Sequence, residues 1–219
     1  MENYLNTIKK NSLFSGIEEK EIKTMLGCLE ARIETYSNNQ FVFRFGENIS
    51  TVGLVLCGSV YLAKDDFMGN RTIISESGEG QIFGETYACI PSESLGISVI
   101  AAEATKILFL DVHRIMNICS SACVFHTRLI RNLLSVLAEN NLMLTRKMLH
   151  MSQRTTREKL LSYLSAESQK NGSAIFKIPF NRQQLADYLA VDRSAMSNEL
   201  CKLRDEGILS FQKNFFKLN

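Results

Sequence analysis

The chain has 219 residues, 45% hydrophobic and 22% charged, with a formal net charge of +2 at pH 7. That length and apolar content suffice for one large or two modest packed cores and exclude a disordered chain. No uncharged apolar run approaches the roughly 18 residues of a membrane-spanning helix, and the N-terminal stretch MENYLNTIKKNSLFSGIEEKEIK lacks a secretory h-region, so a soluble, cytoplasmic protein without a membrane partner is expected. The charges are uneven: 14 basic and 16 acidic residues up to Met148 (net −2), against 11 basic and 7 acidic after it (net +4). A basic C-terminal part suits a polyanion, although a solvated surface has the same signature. The six cysteines show no C-x-x-C pair and read as reduced, buried small hydrophobes.

In chain order, residues 16–30 place Ile17, Ile22, Met25, Leu26 and Leu29 at helical spacing and predict a leading helix. From Phe41 to Leu110 the texture changes to short β-type runs: FVFRF, TVGLVL, SVYLAK, RTIISE, GISVIA and TKILFL. Eight of the twelve glycines fall in this segment, which predicts a barrel or roll with tight corners, one hairpin tip lying at Met68, Gly69 and Asn70.

Beyond His113 a long helical pattern runs to about Met151. Ile130, Leu137, Leu144 and Met151 repeat every seven residues, interleaved with Leu133, Leu134 and Met148, and this is a coiled-coil period. Three full repeats favour a homodimer seam; the alternative is that the stripe packs on the chain's own β-roll. Cys119, Cys123 and His126 share one helix face and could ligate a soft metal, but three ligands on one helix rarely suffice, and buried small side chains are the favoured account. His113 and His150 read as ordinary surface or interface histidines.

A polar interval at Ser152–Thr156 marks a hinge, and a helix with Leu160, Leu161 and Leu164 follows, ending at Asn171 and Gly172. After a strand at Ala174–Ile178, FNRQQLADYLAVDRSAMSNELCKLRDEGIL reads as two short helices joined by a tight turn. Asn181 and Gln184 form a capping box for the first, and Asp192 caps the second, which buries Met196, Leu200 and Leu203. Its other side offers Arg193, Ser194, Ser197 and Asn198, all able to donate to base edges or phosphates. Residues Ile208–Leu218 alternate as a hairpin, so the unit is a winged helix with Lys213, Asn214 and Lys217 on or beside the wing.

The order β-roll, heptad helix, hinge and winged helix resembles the cyclic-AMP receptor/fumarate-nitrate regulator (Crp/Fnr) family of bacterial transcription factors. The motifs that carry it are VLCGSVYL around Gly58, GQIFGE from Gly80 to Glu85, and RQQLADYLAVDRSAMSNEL from Arg182 to Leu200. The resemblance implies an α+β fold: a cyclic-nucleotide-binding-like β-roll (double-stranded β-helix) over 1–115, a dimerisation helix over 116–151, and a winged helix-turn-helix over 152–219. It also implies a homodimer placing two recognition helices in major grooves of double-stranded DNA, at half-sites roughly 34 Å apart. Arg193 then falls on a base-contacting position suited to guanine, Ser194 and Ser197 on neighbouring positions, and Arg182 and Gln183 on positions that hold the phosphate backbone. Asn198 departs from the arginine common in relatives, so the site sequence does not carry over. Ala190 stands where a turn glycine is common, at a cost of about 1 kcal/mol if its φ is positive.

In cyclic-nucleotide-binding relatives, a glycine and glutamate matching Gly84 and Glu85 hold the ribose, and an arginine followed by serine or threonine clamps the phosphate. Here the clamp positions read Leu95 and Gly96, and residues 90–102 contain no arginine or lysine. An anion buried there without counter-charge is costly, so cyclic AMP and cyclic GMP are not expected as effectors. Cys28 stands alone before the roll, which disfavours an iron-sulfur cluster, and no cofactor is predicted. Gly78, Gly80 and Gly84 sit among strands without a GK[ST], so they are corners rather than a nucleotide loop. No enzyme signature appears, and residues 41–110 contain no histidine for a metal site inside the roll. The expectation is a sequence-specific, non-enzymatic DNA-binding regulator answering to an unknown small-molecule effector, with RNA polymerase a partner if it activates. The alternative is a constitutive DNA-binding regulator whose roll is a scaffold or docking surface.

Overall fold

In the computed structural model, which describes residues 4–65, 71–116 and 124–219, the chain divides into two units, Met1–Ala138 and Glu139–Asn219. The expected hairpin tip at Met68–Asn70, and Cys119 and Cys123, lie outside the described residues. Among those described, no helix is long and apolar enough to cross a membrane.

The expected leading helix forms as α2 (Glu19–Cys28), where the Glu18 backbone N–H donates to Glu21 Oε2 at 2.8 Å. Before it come α1 (Leu5–Lys10) and a 3₁₀ turn at Ser12–Phe14. Neither is legible in the sequence, because Leu5, Ile8, Leu13 and Phe14 are buried but too few in each piece to set a period.

Among the described residues eight strands build the roll: β1 (Arg32–Tyr36), β2 (Phe41–Phe43), β3 (Thr51–Cys57), β4 (Ser59–Asp65), β5 (Arg71–Gly78), β6 (Ile82–Phe83), β7 (Ser98–Ala101) and β8 (Thr105–Asp111). They pair antiparallel in two four-stranded sheets, ordered β1-β8-β3-β6 and β2-β7-β4-β5. Strand β1 is a surprise to the pattern: Arg32 and Glu34 alternate with Ile33 at a sheet edge, where only Tyr36 is fully buried. In β3, by contrast, Thr51 to Leu56 are all buried. Phe43 packs edge-on against Phe83 and Phe109 at 6.0 and 5.7 Å between centroids. Gly58 turns the chain from β3 to β4 at φ +83°, and a Cβ there would lie 2.7 Å from Thr105 Oγ1 and 2.8 Å from the Ala104 carbonyl oxygen. Both the left-handed backbone and the close approach require glycine.

Two helices follow, α4 (Val112–Met116) and the 28-residue α5 (Val124–Met151). In the first unit α5 seats Leu129 and Leu133 in the roll core, with Ile130 and Leu137 packed beside it. Asn132 Nδ2 donates to the Leu13 and Ser15 carbonyls, 2.9 Å each, and Arg128 donates to the Gly16 carbonyl.

In the second unit α6 (Thr156–Asn171) opens on a capping box between Thr155 and Glu158 and closes on left-handed Gly172. After it come β9 (Ile175–Lys177), α7 (Arg182–Leu189), α8 (Arg193–Asp205), β10 (Leu209–Gln212) and β11 (Phe215–Leu218), with the strands in the order β10-β11-β9. Leu160, Leu164, Phe176, Leu185, Leu200 and Phe216 are among the residues of its separate core. The fold is α+β: a β-roll, a long helix and a C-terminal winged helix-turn-helix.

Four of the cysteines are described, all free: Cys28, Cys57 and Cys201 are exposed and Cys89 is half-buried. The expectation of buried cysteines is therefore corrected: Cys28, Cys57 and Cys201 sit on exposed helix or strand positions, and Cys89, just after a short helix, packs only partly buried against the roll core.

Candidate nucleic-acid interface

The helix pair is built from its caps. Asn181 Oδ1 accepts from the Gln184 N–H at 3.0 Å while the Asn181 N–H donates to Gln184 Oε1 at 2.9 Å, closing the capping box of α7. Asp192 Oδ1 accepts from the Ala195 N–H at 2.7 Å and starts α8. Ala190 between them adopts φ 49° and ψ 60°, the left-handed conformation that glycine supplies without strain. Lys159 of α6 donates to the Leu189 and Ala190 carbonyls at 3.4 Å, placing a cation at the negative end of α7.

Helix α8 buries Met196, Leu200 and Leu203 completely, and this fixes what its other face shows. Arg193, Ser194 and Asn198 are exposed, and Arg193 has no acidic partner among the described residues. Ser197 is half-buried, its Oγ donating to the Arg193 carbonyl at 2.9 Å. Two turns of helix thus present one guanidinium, one amide and one free hydroxyl to solvent. The Arg157–Glu206 ion pair ties the start of α6 to the end of α8.

The remaining predicted contacts sit apart from this row. Gln183 is exposed and pairs with Asp187 along α7 at 2.8 Å. Arg182 is half-buried: its guanidinium lies 4.7 Å from the Phe211 centroid and 5.1 Å from that of Phe216. Burial pulls its pKa below the ordinary arginine value, yet the group remains charged at any physiological pH. Arg182 therefore joins α7 to the wing, a role with no signal in the sequence, since the aromatic partners lie some thirty residues further on. Lys213 is exposed at the β10–β11 turn with φ +54°.

In the roll, Gly84 caps the one-turn helix α3 (Glu85–Ala88) at φ +80°, and Glu85 opens it. Beside it, burial and then the Glu85 carboxylate raise the pKa of the Cys89 thiol. Leu95 is 1% exposed and belongs to the roll core. Its backbone is engaged too, its N–H donating to the Glu47 carbonyl and its carbonyl accepting from the Gly46 N–H, 2.8 Å each. Gly96 is half-buried, and a Cβ there would meet Tyr87 Oη at 3.1 Å.

Along α5, Leu133, expected in the dimer seam, instead turns into the roll core, Ile130 and Leu137 are half-buried, and Leu134, Leu144, Met148 and Met151 are exposed. Among the described residues no group of three or more metal-ligating side chains is present. His113 is exposed, His126 is buried with Nδ1 unpaired, and His150, expected at the surface or an interface, is not at the surface: it is buried between helices with Ser162 as a partner.

Residues 33–122 match the family described as cyclic nucleotide-binding domain, and residues 158–218 match the Crp-like helix-turn-helix domain. No curated protein sequence matches the chain significantly. Among solved structures, the chain is similar to the global regulator CLP of Xanthomonas campestris, described as c-di-GMP responsive, with 19% identity over 92% of this chain and 99% of that one and a TM-score of 0.56. A CooA mutant from Carboxydothermus hydrogenoformans shares 19% identity over 88% and 85% with a TM-score of 0.54. The catabolite activator protein of Thermus thermophilus shares 21% over 95% and 94% with a TM-score of 0.50. At these identities the structures speak for the fold. The two matched domains together span more than half of the chain, in the order in which the roll and the helix pair are found, and the chain belongs to the Crp/Fnr family of DNA-binding transcriptional regulators.

Proposed function

We propose that the protein is a homodimer that reads a near-palindromic DNA site through α8 and answers to an effector other than cyclic AMP at the roll. The observation that carries this proposal is the exposed row of Arg193, Ser194 and Asn198 on a helix whose opposite side is completely buried. Arg193 contacts guanine O6 and N7 bidentately, Asn198 pairs with adenine or stays in water, and Ser194 and Ser197 reach neighbouring bases or phosphates. Gln183, Lys213 and the outward edge of Arg182 neutralise phosphates and hold the register. The Arg182–Phe211 stack sets the wing relative to α7, so this arginine orients Lys213 as well as meeting DNA.

The dimer rests on the stripe Ile130, Leu134, Leu137, Leu144, Met148 and Met151 on α5, most of it exposed in the single chain. A run of exposed apolar side chains at heptad spacing is what a partner helix covers. On this account residues 1–115 sense, 116–151 dimerise and 152–219 bind DNA, with 152–156 as the hinge. RNA polymerase is a partner if the regulator activates, and the protein works in the cytoplasm and catalyses nothing.

Leu95 supports the exclusion of cyclic nucleotides: it puts a core leucine where a phosphate clamp would need a cation. The same leucine favours a second reading, a constitutive regulator whose roll is a scaffold or docking surface. Retardation of DNA carrying an inverted repeat, compared with the same DNA scrambled, tests DNA reading. A change of that affinity with any small molecule separates the two accounts of the roll.

A further inference from the structure

The last turn of α5 lies in the second unit, and there His150 is 6% exposed. Its Nδ1 is 2.8 Å from Ser162 Oγ on α6. Its ring stands edge-on to Tyr163 of α6, 5.7 Å between centroids, and 6.5 Å from Tyr188 of α7. Tyr188 in turn lies 4.9 Å from Phe180 and 5.4 Å from Tyr163, and Lys147 of α5 sits over its ring at 5.4 Å. One imidazole thus joins the end of the long helix to the helix before the DNA-reading pair and to the first helix of that pair. The Tyr163 hydroxyl is buried in the same cluster without a hydrogen-bond partner.

We propose that His150 is a positioning residue for DNA reading: its neutral imidazole docks the last turn of α5 onto α6 and α7, and its protonation releases that docking and weakens DNA binding. This rests on the DNA reading proposed above and adds to it a named contact through which α5 is coupled to α7.

The charges around the ring decide the direction of the effect. Glu167 on α6 favours the imidazolium, while Lys147 and Arg146 on α5 and the weakly acidic Tyr163 and Tyr188 provide no anion at neutral pH. Burial outweighs Glu167 and holds the His150 pKa below the ordinary histidine value. A depressed histidine pKa means that the undocked state binds the proton more readily. Docking is therefore complete above the ordinary pKa of about 6.5 and is progressively lost as pH falls below it.

The test uses the full chain. Binding to an inverted-repeat duplex is measured by fluorescence anisotropy from pH 7.5 to 5.5 for the native protein, His150→Gln and Ser162→Ala. The native affinity is expected to fall by about threefold to tenfold, and that of His150→Gln, which keeps a hydrogen-bonding side chain but cannot titrate, to change by less than about half as much. Ser162→Ala is expected to bind at pH 7.5 more weakly than the native protein, approaching its acid value. His113 and His126 remain in both variants and so cancel. In parallel, with no DNA present, the three histidine ring signals are titrated by NMR, and His150, assigned by its loss in His150→Gln, should titrate below 6.5 together with shifts of the Tyr163 and Tyr188 rings. An equal acid loss in His150→Gln, or a His150 signal titrating at or above the ordinary value, overturns the proposal. If no protein binds the duplex at any pH, the DNA reading fails, and the NMR titration by itself still decides whether His150 docks as described.

Discussion

The roll and the winged helix both use a left-handed residue to aim a short helix, and they do opposite things with the chemistry that follows. At Ala190 the turn launches α8, whose Arg193 and Asn198 stand in solvent above a completely buried apolar row. At Gly84 the turn launches α3, and nearby Leu95, proposed above to stand at a phosphate-clamp position, is sealed in the core and bonded through its backbone to Gly46 and Glu47. One unit keeps its polar groups where a polyanion can reach them. The other packs an apolar side chain into its core at that point and offers an anion no counter-charge from Leu95.

The comparison breaks most visibly if the two cores are not separate. Phe216 is buried in the second core, stacked with Phe176 and lying under Arg182. Phe216→Ala is expected to destabilise that unit by about 3–5 kcal/mol. Calorimetry should show the winged-helix transition collapse while the roll transition keeps its temperature; a single transition moving as a whole would unite the two cores. Next in size, Arg193→Ala should cost about 1–3 kcal/mol of discrimination against a changed base pair in anisotropy titrations, with the elution volume of the protein unchanged. A smaller gain is expected from Ala190→Gly, which relieves positive φ and should raise the urea midpoint of the second unit by the equivalent of up to about 1 kcal/mol. The sharpest contrast is an effect of zero: calorimetric titration with cyclic AMP or cyclic GMP should show no sub-micromolar binding. Such binding would mean that the roll supplies a cation from elsewhere and that Leu95 has been misjudged.

Local signals in the sequence carried the C-terminal unit almost whole. Asn181, Gln184, Asp192, Met196 and Leu200 state the helix pair because caps and helical periods are interactions between residues three or four apart. The roll is less legible. Strand β1 and the short helices α1 and α3 are missed because each holds only a few apolar residues, and their pairing partners lie far along the chain, as Tyr36 lies opposite Thr105. The heptad stripe of α5 is visible at once, yet its period cannot say that Leu133 turns into the roll while Leu134 stays in solvent.

By itself, then, the sequence determined the order of parts, the exposed face of α8 and the absence of a cation between residues 90 and 102, since each follows from residue type and near-neighbour spacing. Tertiary structure alone decided that Arg182 lies over Phe211, that Leu95 is core, and that His150 pairs with Ser162 beneath two tyrosines. Those contacts join residues separated by a turn or by most of a domain, and burial, which sets both their geometry and the protonation of His150, exists only once the chain has packed.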